Sequence, residues 1–103
     1  MLTRQLAINQ ATSFVKECVA QGLIFQKVLL FGSSVNGKTH SGSDIDLLLI
    51  SDQFSENPFS NLKLFSKINI HYPLIETHCY PVQYYLEGNE FIQEISKDCI
   101  EIA

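Results

Sequence analysis

The residues that could do chemistry in this chain are concentrated in one segment, residues 29–50, which reads LLFGSSVNGKTHSGSDIDLLLI. Its GSSVNGKT stretch fits the Walker A pattern, in which backbone N–H groups and a lysine hold a triphosphate. Gly32 and Ser33 are also followed, after ten residues, by Asp44 and Asp46. Such a pair of acids is suited to metal ions. The two patterns require different folds, so only one of them can describe the site.

The Walker A interpretation depends on the element that follows the motif. A P-loop follows a strand and opens a helix, whose N-terminus holds the phosphates. An apolar run does precede Gly32, but only four residues separate Thr39 from Asp44, where we predict the next strand to begin. That gap leaves no room for a helix, and a parallel crossover needs roughly a dozen residues. The sequence therefore disfavours a P-loop.

The acid pair has a consistent geometry. Side chains alternate between the two faces of a strand, so Asp44 and Asp46 point the same way as the apolar Leu48 and Ile50. Two carboxylates beside apolar neighbours would be costly without a counter-charge. Mg²⁺ takes carboxylates together with substrate phosphate oxygens, and two ions about 3.5–4 Å apart can be shared by such carboxylates. Alternatively, Asp44 caps a turn and Asp46 lies on a solvated edge.

The Gly-Ser pair before the acids favours the metal interpretation. Gly32 permits a close approach of the backbone to a ligand. Ser33 supplies a hydroxyl and backbone N–H groups at a predicted helix start, which suit phosphate oxygens. Phosphate donors and metal ligands would then face one pocket.

Hydrophobic periodicity and turn residues define the elements that must position these groups. Thr3 is a candidate cap for the first helix, and Gly22 is a candidate C′ glycine after it. The predicted elements are a helix over 3–21, a strand over 25–31, a turn region over 32–43, a strand over 44–51, a loop over 52–61, a helix near 60–71, a strand over 74–80, short helices over 81–86 and 89–97, and a short strand over 100–102. This order fits a small α/β or α+β domain.

Composition limits the other function classes. The 103 residues suit a single domain over 1–103, and 46% hydrophobic residues can form a packed core. The net charge of −4 argues against direct nucleic-acid binding, and no apolar run is long enough to span a membrane. Three cysteines without close spacing, and no signal peptide, predict reduced thiols in a cytoplasmic protein. The oligomeric state, whether homo- or hetero-oligomer, stays open.

A family resemblance follows from the same segment. In this segment FGS is followed by ten residues and then by DID and apolar residues. This arrangement resembles the signature of the DNA polymerase β-type nucleotidyltransferases. In length and element order the chain is similar to the minimal nucleotidyltransferase (MNT) proteins, which are often antitoxin partners of HEPN toxins. The resemblance implies a polymerase β-like fold, a small mixed sheet flanked by helices. It also implies that Gly32 and Ser33 hold a nucleoside triphosphate, that Asp44 and Asp46 bind two Mg²⁺ ions, and that a later strand carries a third carboxylate.

The candidate for that third carboxylate is Glu76, the only acid in the strand over 74–80. Leu74, Glu76 and His78 share one face of this strand. Glu76 would be a metal ligand and a possible general base, or else a solvated edge residue. The family often has Asp here. His71, His78 and Cys79 together suggest a zinc site, but their spacing matches no standard zinc pattern.

The turn departs from the family in one respect. Family members often carry an arginine just before the second glycine of the motif, where this chain has Asn36. Lys38 would supply the positive charge to the triphosphate instead, as a point charge rather than a bidentate fork. An exposed loop lysine is an equally good interpretation of Lys38.

The sequence therefore predicts a Mg²⁺-dependent enzyme that transfers AMP from ATP to an acceptor hydroxyl and releases pyrophosphate. The chain is too short to carry a large second domain for a small-molecule acceptor, so a protein acceptor is favoured. By resemblance, the acceptor would be a tyrosine of a cognate HEPN-type toxin, and the chain would act as its antitoxin. The alternative is a non-catalytic antitoxin that neutralises its partner by steric contact.

Overall fold

The computed structural model describes residues 3–36 and 45–103, so the predictions for Lys38 and Asp44 lie outside the described residues. The elements in chain order are α1 (Arg4–Ala20), β1 (Lys27–Phe31), α2 (Ser33–Asn36), β2 (Ile45–Ile50), α3 (Pro58–Lys63), α4 (Ser66–Asn69), β3 (Ile75–Tyr80), α5 (Val82–Glu87), α6 (Glu90–Ser96) and β4 (Ile100–Glu101).

The four strands form one mixed sheet in the order β3-β2-β1-β4. β1 is antiparallel to both β2 and β4, whereas β2 and β3 are parallel. The parallel pair requires a crossover, which α3 and α4 supply between the two strands. This architecture confirms the predicted fold class, a mixed sheet flanked by helices.

One face of the sheet is covered by α1 and by the α3–α4 segment. The inward side of α1 has helical spacing and is buried. Phe14 packs edge-on against Phe65, with ring centroids 6.0 Å apart, and against Tyr72 at 5.7 Å. The fully buried members of this cluster include Ala7, Ala11, Phe14, Cys18, Val28, Leu30, Ile45, Leu47 and Leu49. We call this side the α1 face.

The other face is covered mainly by α6. Leu29, Leu48 and Ile50 of the sheet pack against Ile92 and Ile95 of α6. Partly buried aromatic residues surround this smaller cluster. The two clusters confirm that β1 is covered on both sides, as its continuous apolar run predicted. We call this side the α6 face.

The ends of α1 follow the sequence signals. The Thr3 hydroxyl accepts a hydrogen bond from the Leu6 N–H at 3.1 Å, as a capping residue does. Gly22 lies just beyond the C-cap residue Gln21 with φ of 101°, in the left-handed region that favours glycine. Both predictions for this helix are confirmed.

The segment after β2 differs from the prediction. Asn57 and Pro58, assigned to a loop, instead begin α3: the Asn57 side chain accepts from the backbone N–H groups of Phe59 and Ser60, and Pro58 occupies the first helical turn. The single helix predicted near 60–71 is two short helices. The chain leaves helical dihedrals at Phe65 (φ −142°), whose ring is buried between α1 and Phe54.

One smaller difference concerns the start of α5. Pro81 was predicted to be the first residue of α5, but it is the N-cap residue and has extended backbone, with ψ of 150°.

Within the described part of the chain, none of the helices combines the length and the apolarity that a membrane span needs.

Candidate functional site

Strand register places the predicted site residues in one row. Phe31 of β1 lies opposite Asp46 of β2, and Asp46 lies beside Glu76 of β3. Because alternate side chains share a face, the side chains of this row point to the α6 face. The next row on the same face contains Leu48 and, beside it, His78. The sheet therefore brings together two acids that are 30 positions apart in the sequence.

Asp46, Glu76 and His78 form a compact group of metal-ligating side chains. One donor atom from each lies within 4.8 Å of the others. The Nε2 atom of His78 is 3.4 Å from Oδ1 of Asp46. The side chains of Asp46 and His78 are 24% and 27% exposed, and Glu76 is exposed. The donors are thus at the surface end of the α6 face, where a substrate can reach them.

Gly32 is fixed in place by two independent requirements. Its φ is +84°, a conformation that residues with a Cβ rarely adopt. A Cβ added there would also overlap Oδ2 of Asp46 and lie 3.3 Å from its Cγ. The backbone of Gly32 therefore approaches the Asp46 carboxylate more closely than any other residue type would allow.

Ser33 begins the four-residue helix α2 directly after this glycine. The Val35 N–H donates to the Gly32 carbonyl at 3.0 Å, which closes the turn. The Arg4 guanidinium of α1 donates to the Val35 carbonyl and ties α1 to this turn. The predicted phosphate-contacting pair is thus held beside Asp46, and its role in binding a nucleotide stays a prediction.

His78 is the residue of this group that sequence reasoning missed. The sequence suggests for it only a zinc site with His71 and Cys79, and neither of these belongs to the donor group found among residues 3–36 and 45–103. The signal was available, because His78 shares a strand face with Glu76. What the sequence lacked was the register that aligns this face with Asp46.

Aromatic rings hold the His78 imidazole in place. The Phe31 ring centroid lies 5.2 Å from that of His78, and the Phe91 centroid lies 5.9 Å from it. Phe31 and Phe91 also pack edge-on against each other, with centroids 6.0 Å apart. These rings make the wall of the site on the α6 side.

Cys79, next to His78, belongs to the opposite environment. It packs against the core of the α1 face, and burial raises the pKa of its thiol to about 12. A thiol with this pKa carries almost no thiolate at neutral pH, so it is a poor nucleophile and a poor metal ligand.

The donor set fits a divalent cation. Two carboxylates at the ends of parallel strands are ligands that Mg²⁺ and Mn²⁺ accept. Gly32 packs against one side of the Asp46 carboxylate, which leaves the opposite side of that carboxylate for ions and phosphate oxygens. Asp44, the remaining predicted ligand, lies outside the described residues.

The sheet topology argues independently against a P-loop. In a P-loop the strand before the motif is followed by a helix and a parallel strand. Here β1 and β2 are antiparallel neighbours, so the strand after the motif is not the parallel strand that a P-loop requires. The match of GSSVNGKT to the Walker A pattern is therefore fortuitous and does not indicate a P-loop.

Comparison with known proteins connects this site to a family. The family model of the nucleotidyltransferase domain matches residues 12–102. No curated protein sequence matches the chain.

Solved structures share the fold at low sequence identity. A protein from Sulfolobus solfataricus assigned as a nucleotidyltransferase has a TM-score of 0.71 and 18% identity, over 95% of this chain and 80% of that one. A toxin–antitoxin complex with AMP-PNP gives 0.61 and 16%, over 89% and 72%. A tri-AMPylated Shewanella oneidensis HEPN toxin in complex with MNT antitoxin gives 0.53 and 15%, over 98% and 72%.

The family match covers most of the chain and includes all three strands that carry the site, β1, β2 and β3. It agrees with the resemblance of the GS and D-x-D residues and confirms the prediction of a nucleotidyltransferase enzyme. The chain belongs to the nucleotidyltransferase domain family.

Proposed function

We propose that this chain, as a single domain over 1–103, is a Mg²⁺-dependent adenylyltransferase that modifies a hydroxyl of a partner toxin and thereby acts as its antitoxin. One observation carries the proposal: Asp46 and Glu76 lie side by side on parallel strands, with the backbone of Gly32 packed against the Asp46 carboxylate. Metal ligands and a phosphate-binding turn are thus combined on one end of the sheet.

The residues of the site have distinct roles in this reaction. The backbone of Gly32 and the Ser33 hydroxyl hold phosphate oxygens of ATP, and Lys38 adds positive charge to the triphosphate. Asp44, Asp46 and Glu76 provide the oxygens that hold two Mg²⁺ ions. When bound, the two ions stabilise negative charge on the attacking and leaving oxygens.

The bond changes follow from nucleotidyl transfer. The acceptor hydroxyl oxygen forms a bond to the α-phosphorus of ATP, and the bond from that phosphorus to the bridging oxygen of the β-phosphate breaks. Pyrophosphate leaves, and AMP stays on the acceptor. Glu76 is the most exposed of the described acids at the site, so it is the carboxylate best placed to accept the hydroxyl proton from an incoming acceptor.

The choice of ATP and of a toxin partner rests on the structural neighbours. One is a toxin–antitoxin complex with AMP-PNP, and another contains a tri-AMPylated HEPN toxin with its MNT antitoxin. A third is a mutant of the toxin–antitoxin pair MntA–HpeT, in which aspartates two positions apart are replaced by glutamate. Asp44 and Asp46 have the same spacing. We therefore propose a HEPN-type toxin as the partner and a tyrosine hydroxyl as the acceptor.

The alternative function is an antitoxin that acts by contact alone. The observation in its favour is the exposed apolar surface of α3 and the segment after α4, where Phe59 is 75% exposed and Ile70 is 73% exposed. Such residues suit a protein interface. An interface is compatible with both functions, whereas the clustered acids are needed only for catalysis.

The test is transfer of label to the partner. The chain and its co-encoded HEPN-type partner are incubated with [α-³²P]ATP and Mg²⁺, and the labelled residue is identified by peptide mass spectrometry. We expect label on a partner tyrosine, reduced about 100-fold or more by Asp46→Asn and by Glu76→Gln. Glu94→Gln, which changes an exposed acid on α6, is the matched control and keeps full transfer.

Rescue of cell growth from the partner toxin separates the two candidate functions. If the wild-type chain transfers no label, and Asp46→Asn neutralises the toxin as well as the wild type does, the enzyme proposal fails and the contact mechanism stands. Parallel reactions with labelled CTP, GTP and UTP test whether ATP is the preferred nucleotide substrate.

A further inference from the structure

The proposed function leaves one donor of the site without a role. His78 lies in the row next to Asp46 and Glu76, and one of its ring nitrogens belongs to the same group of donors within 4.8 Å. Its Nε2 atom is 3.4 Å from Oδ1 of Asp46. Its ring packs against both Phe31 and Phe91, which also contact each other. A histidine held by packing, with a ring nitrogen facing two carboxylates, is the arrangement of a metal ligand.

We propose that His78 is a third protein ligand, through Nε2, of the cation held by Asp46 and Glu76, and that this position therefore takes Mn²⁺ in preference to Mg²⁺. The inference rests on the metal site of the proposed function and deepens it. It concerns which ion occupies the site and through which atoms.

The distance between His78 and Asp46 permits both side chains to coordinate one ion. Charge-assisted N–H···O bonds are usually about 2.7–2.9 Å long. The Nε2–Oδ1 distance of 3.4 Å is well above that range. Ligands about 2.1–2.2 Å from a six-coordinate ion lie roughly 3 Å apart when adjacent and about 4.3 Å apart when opposite. The observed separations fit two ligands of one ion after a small adjustment.

The chemistry of the donors sets the preferred ion. Mg²⁺ is a hard cation that takes oxygen ligands and keeps several waters. Imidazole nitrogen suits transition metals rather than Mg²⁺, and Mn²⁺ is the transition metal among the ions that carboxylates suit. A site of two carboxylates and one imidazole therefore favours Mn²⁺ over Mg²⁺ relative to the same site without the histidine.

Packing makes this ligand ready before the ion binds. The rings of Phe31 and Phe91 pack together against the imidazole, so part of its side-chain freedom is already lost before it coordinates. An exposed histidine has no such confinement. His71, which lies exposed after α4, provides the comparison.

The test measures Mn²⁺ bound to the purified full chain from which any histidine tag has been removed. Electron spin echo envelope modulation of bound Mn²⁺ reports directly coordinated ¹⁴N. We expect ¹⁴N modulation in the wild type and in the control His71→Gln, and its loss in His78→Gln. Titration followed by electron paramagnetic resonance should show Mn²⁺ affinity reduced about 10-fold or more in His78→Gln, with Mg²⁺ affinity, measured by competition, changed less than about threefold.

Isotope labelling keeps the test valid if His78→Gln does not fold. Wild-type protein grown with ¹⁵N-histidine should replace the ¹⁴N modulation with that of ¹⁵N, which requires no variant. Bound Mn²⁺ with only oxygen and water ligands would overturn the proposal for His78 while leaving the proposed transferase intact. Absence of binding by either ion, together with absence of label transfer, would overturn both.

Discussion

The two faces of the sheet are built from the same strands but serve different purposes. On β2, Ile45, Leu47 and Leu49 point into the α1 face and are fully buried. Leu48 and Ile50 point into the α6 face, and Asp46, in the same alternation, stands at its open end. The α1 face contains the larger apolar cluster, whereas the α6 face passes from a smaller apolar cluster to a group of ionisable donors.

This difference indicates how a small domain can accommodate charged groups. The larger cluster on the α1 face provides most of the hydrophobic stabilisation. The α6 face has a smaller cluster and can leave its end open to solvent and substrate. We therefore expect substitutions on the α1 face to change mainly stability and substitutions at the open end of the α6 face to change mainly function.

The largest effect on stability is expected at Phe14. Its ring is fully buried and makes edge-on contacts with Phe65 and Tyr72. Phe14→Ala should lower the free energy of unfolding by about 3–5 kcal/mol, because it removes apolar contact and leaves a cavity. Urea unfolding followed by circular dichroism measures the change. A loss below about 1 kcal/mol would show that the α1 face is not the main source of stability.

The next effect is expected at Gly32, and it should fall on function. Gly32→Ala places a methyl group against Oδ2 of Asp46 in a backbone conformation with positive φ. Displacing the carboxylate by even about 1 Å can cost roughly 100-fold in rate. Label transfer to the partner toxin measures this loss.

Gly22→Ala is the matched control for that prediction. Gly22 also has positive φ, at +101°, but a Cβ added there meets nothing within 4 Å. Both variants should lose about 1–2 kcal/mol of stability through the backbone, and only Gly32→Ala should lose transfer. Equal transfer by the two variants would contradict the role given to the close approach at Asp46.

A smaller and mixed effect is expected at Phe91, which is 39% exposed. Phe91→Ala should lower the free energy of unfolding by only about 1 kcal/mol, because less apolar surface is buried than at Phe14. It also removes one of the two rings beside His78, so Mn²⁺ affinity should fall several-fold. Calorimetric titration with Mn²⁺ checks this. Loss of stability as large as that of Phe14→Ala would erase the distinction between the faces.

The smallest effect is expected at the ion pair between Lys27 and Glu101, which lies at the solvent side of β1 and β4 with 2.6 Å between Nζ and Oε1. The hydrogen bond to Glu101 raises the pKa of Lys27 above its ordinary value of 10.5. The stabilisation is therefore present below pH 10.5 and is lost as the pH rises through the higher pKa of the folded state.

Glu101→Gln tests that pair. It should cost below about 1 kcal/mol at pH 7, because both groups are partly exposed to solvent. The difference from the wild type should disappear when unfolding is measured well above pH 10.5. A cost that persisted at that pH would arise from packing rather than from charge.

Local signals predicted most of the fold. The cap at Thr3, the glycine after α1 and the two apolar strands specify their elements through interactions within a few residues. The split at Phe65 was not predictable in this way, because it follows from burial of one ring between distant elements. Local periodicity carries no information about that contact.

The candidate site was predictable only in part, because it too depends on contacts between segments that are distant in the sequence. Strand alternation places Glu76 and His78 on one side of β3, and GS with D-x-D identifies Gly32 and Asp46. The alignment of Asp46 with Glu76 depends on parallel pairing across the crossover, which no local pattern specifies. The position of His78 beside Asp46 therefore follows from the structure and not from the sequence.

The pairing of Asp46 with Glu76 also makes cation binding depend on the register of β3 along β2. If β3 slipped by one residue along β2, Thr77 or Ile75 would stand beside Asp46, and Glu76 would turn to the opposite side of the sheet. A slip by two residues would keep the side but separate the carboxylates by more than about 6 Å. Tight cation binding is therefore a property of the correctly registered sheet alone, and divalent ions should favour that arrangement over misaligned ones during folding.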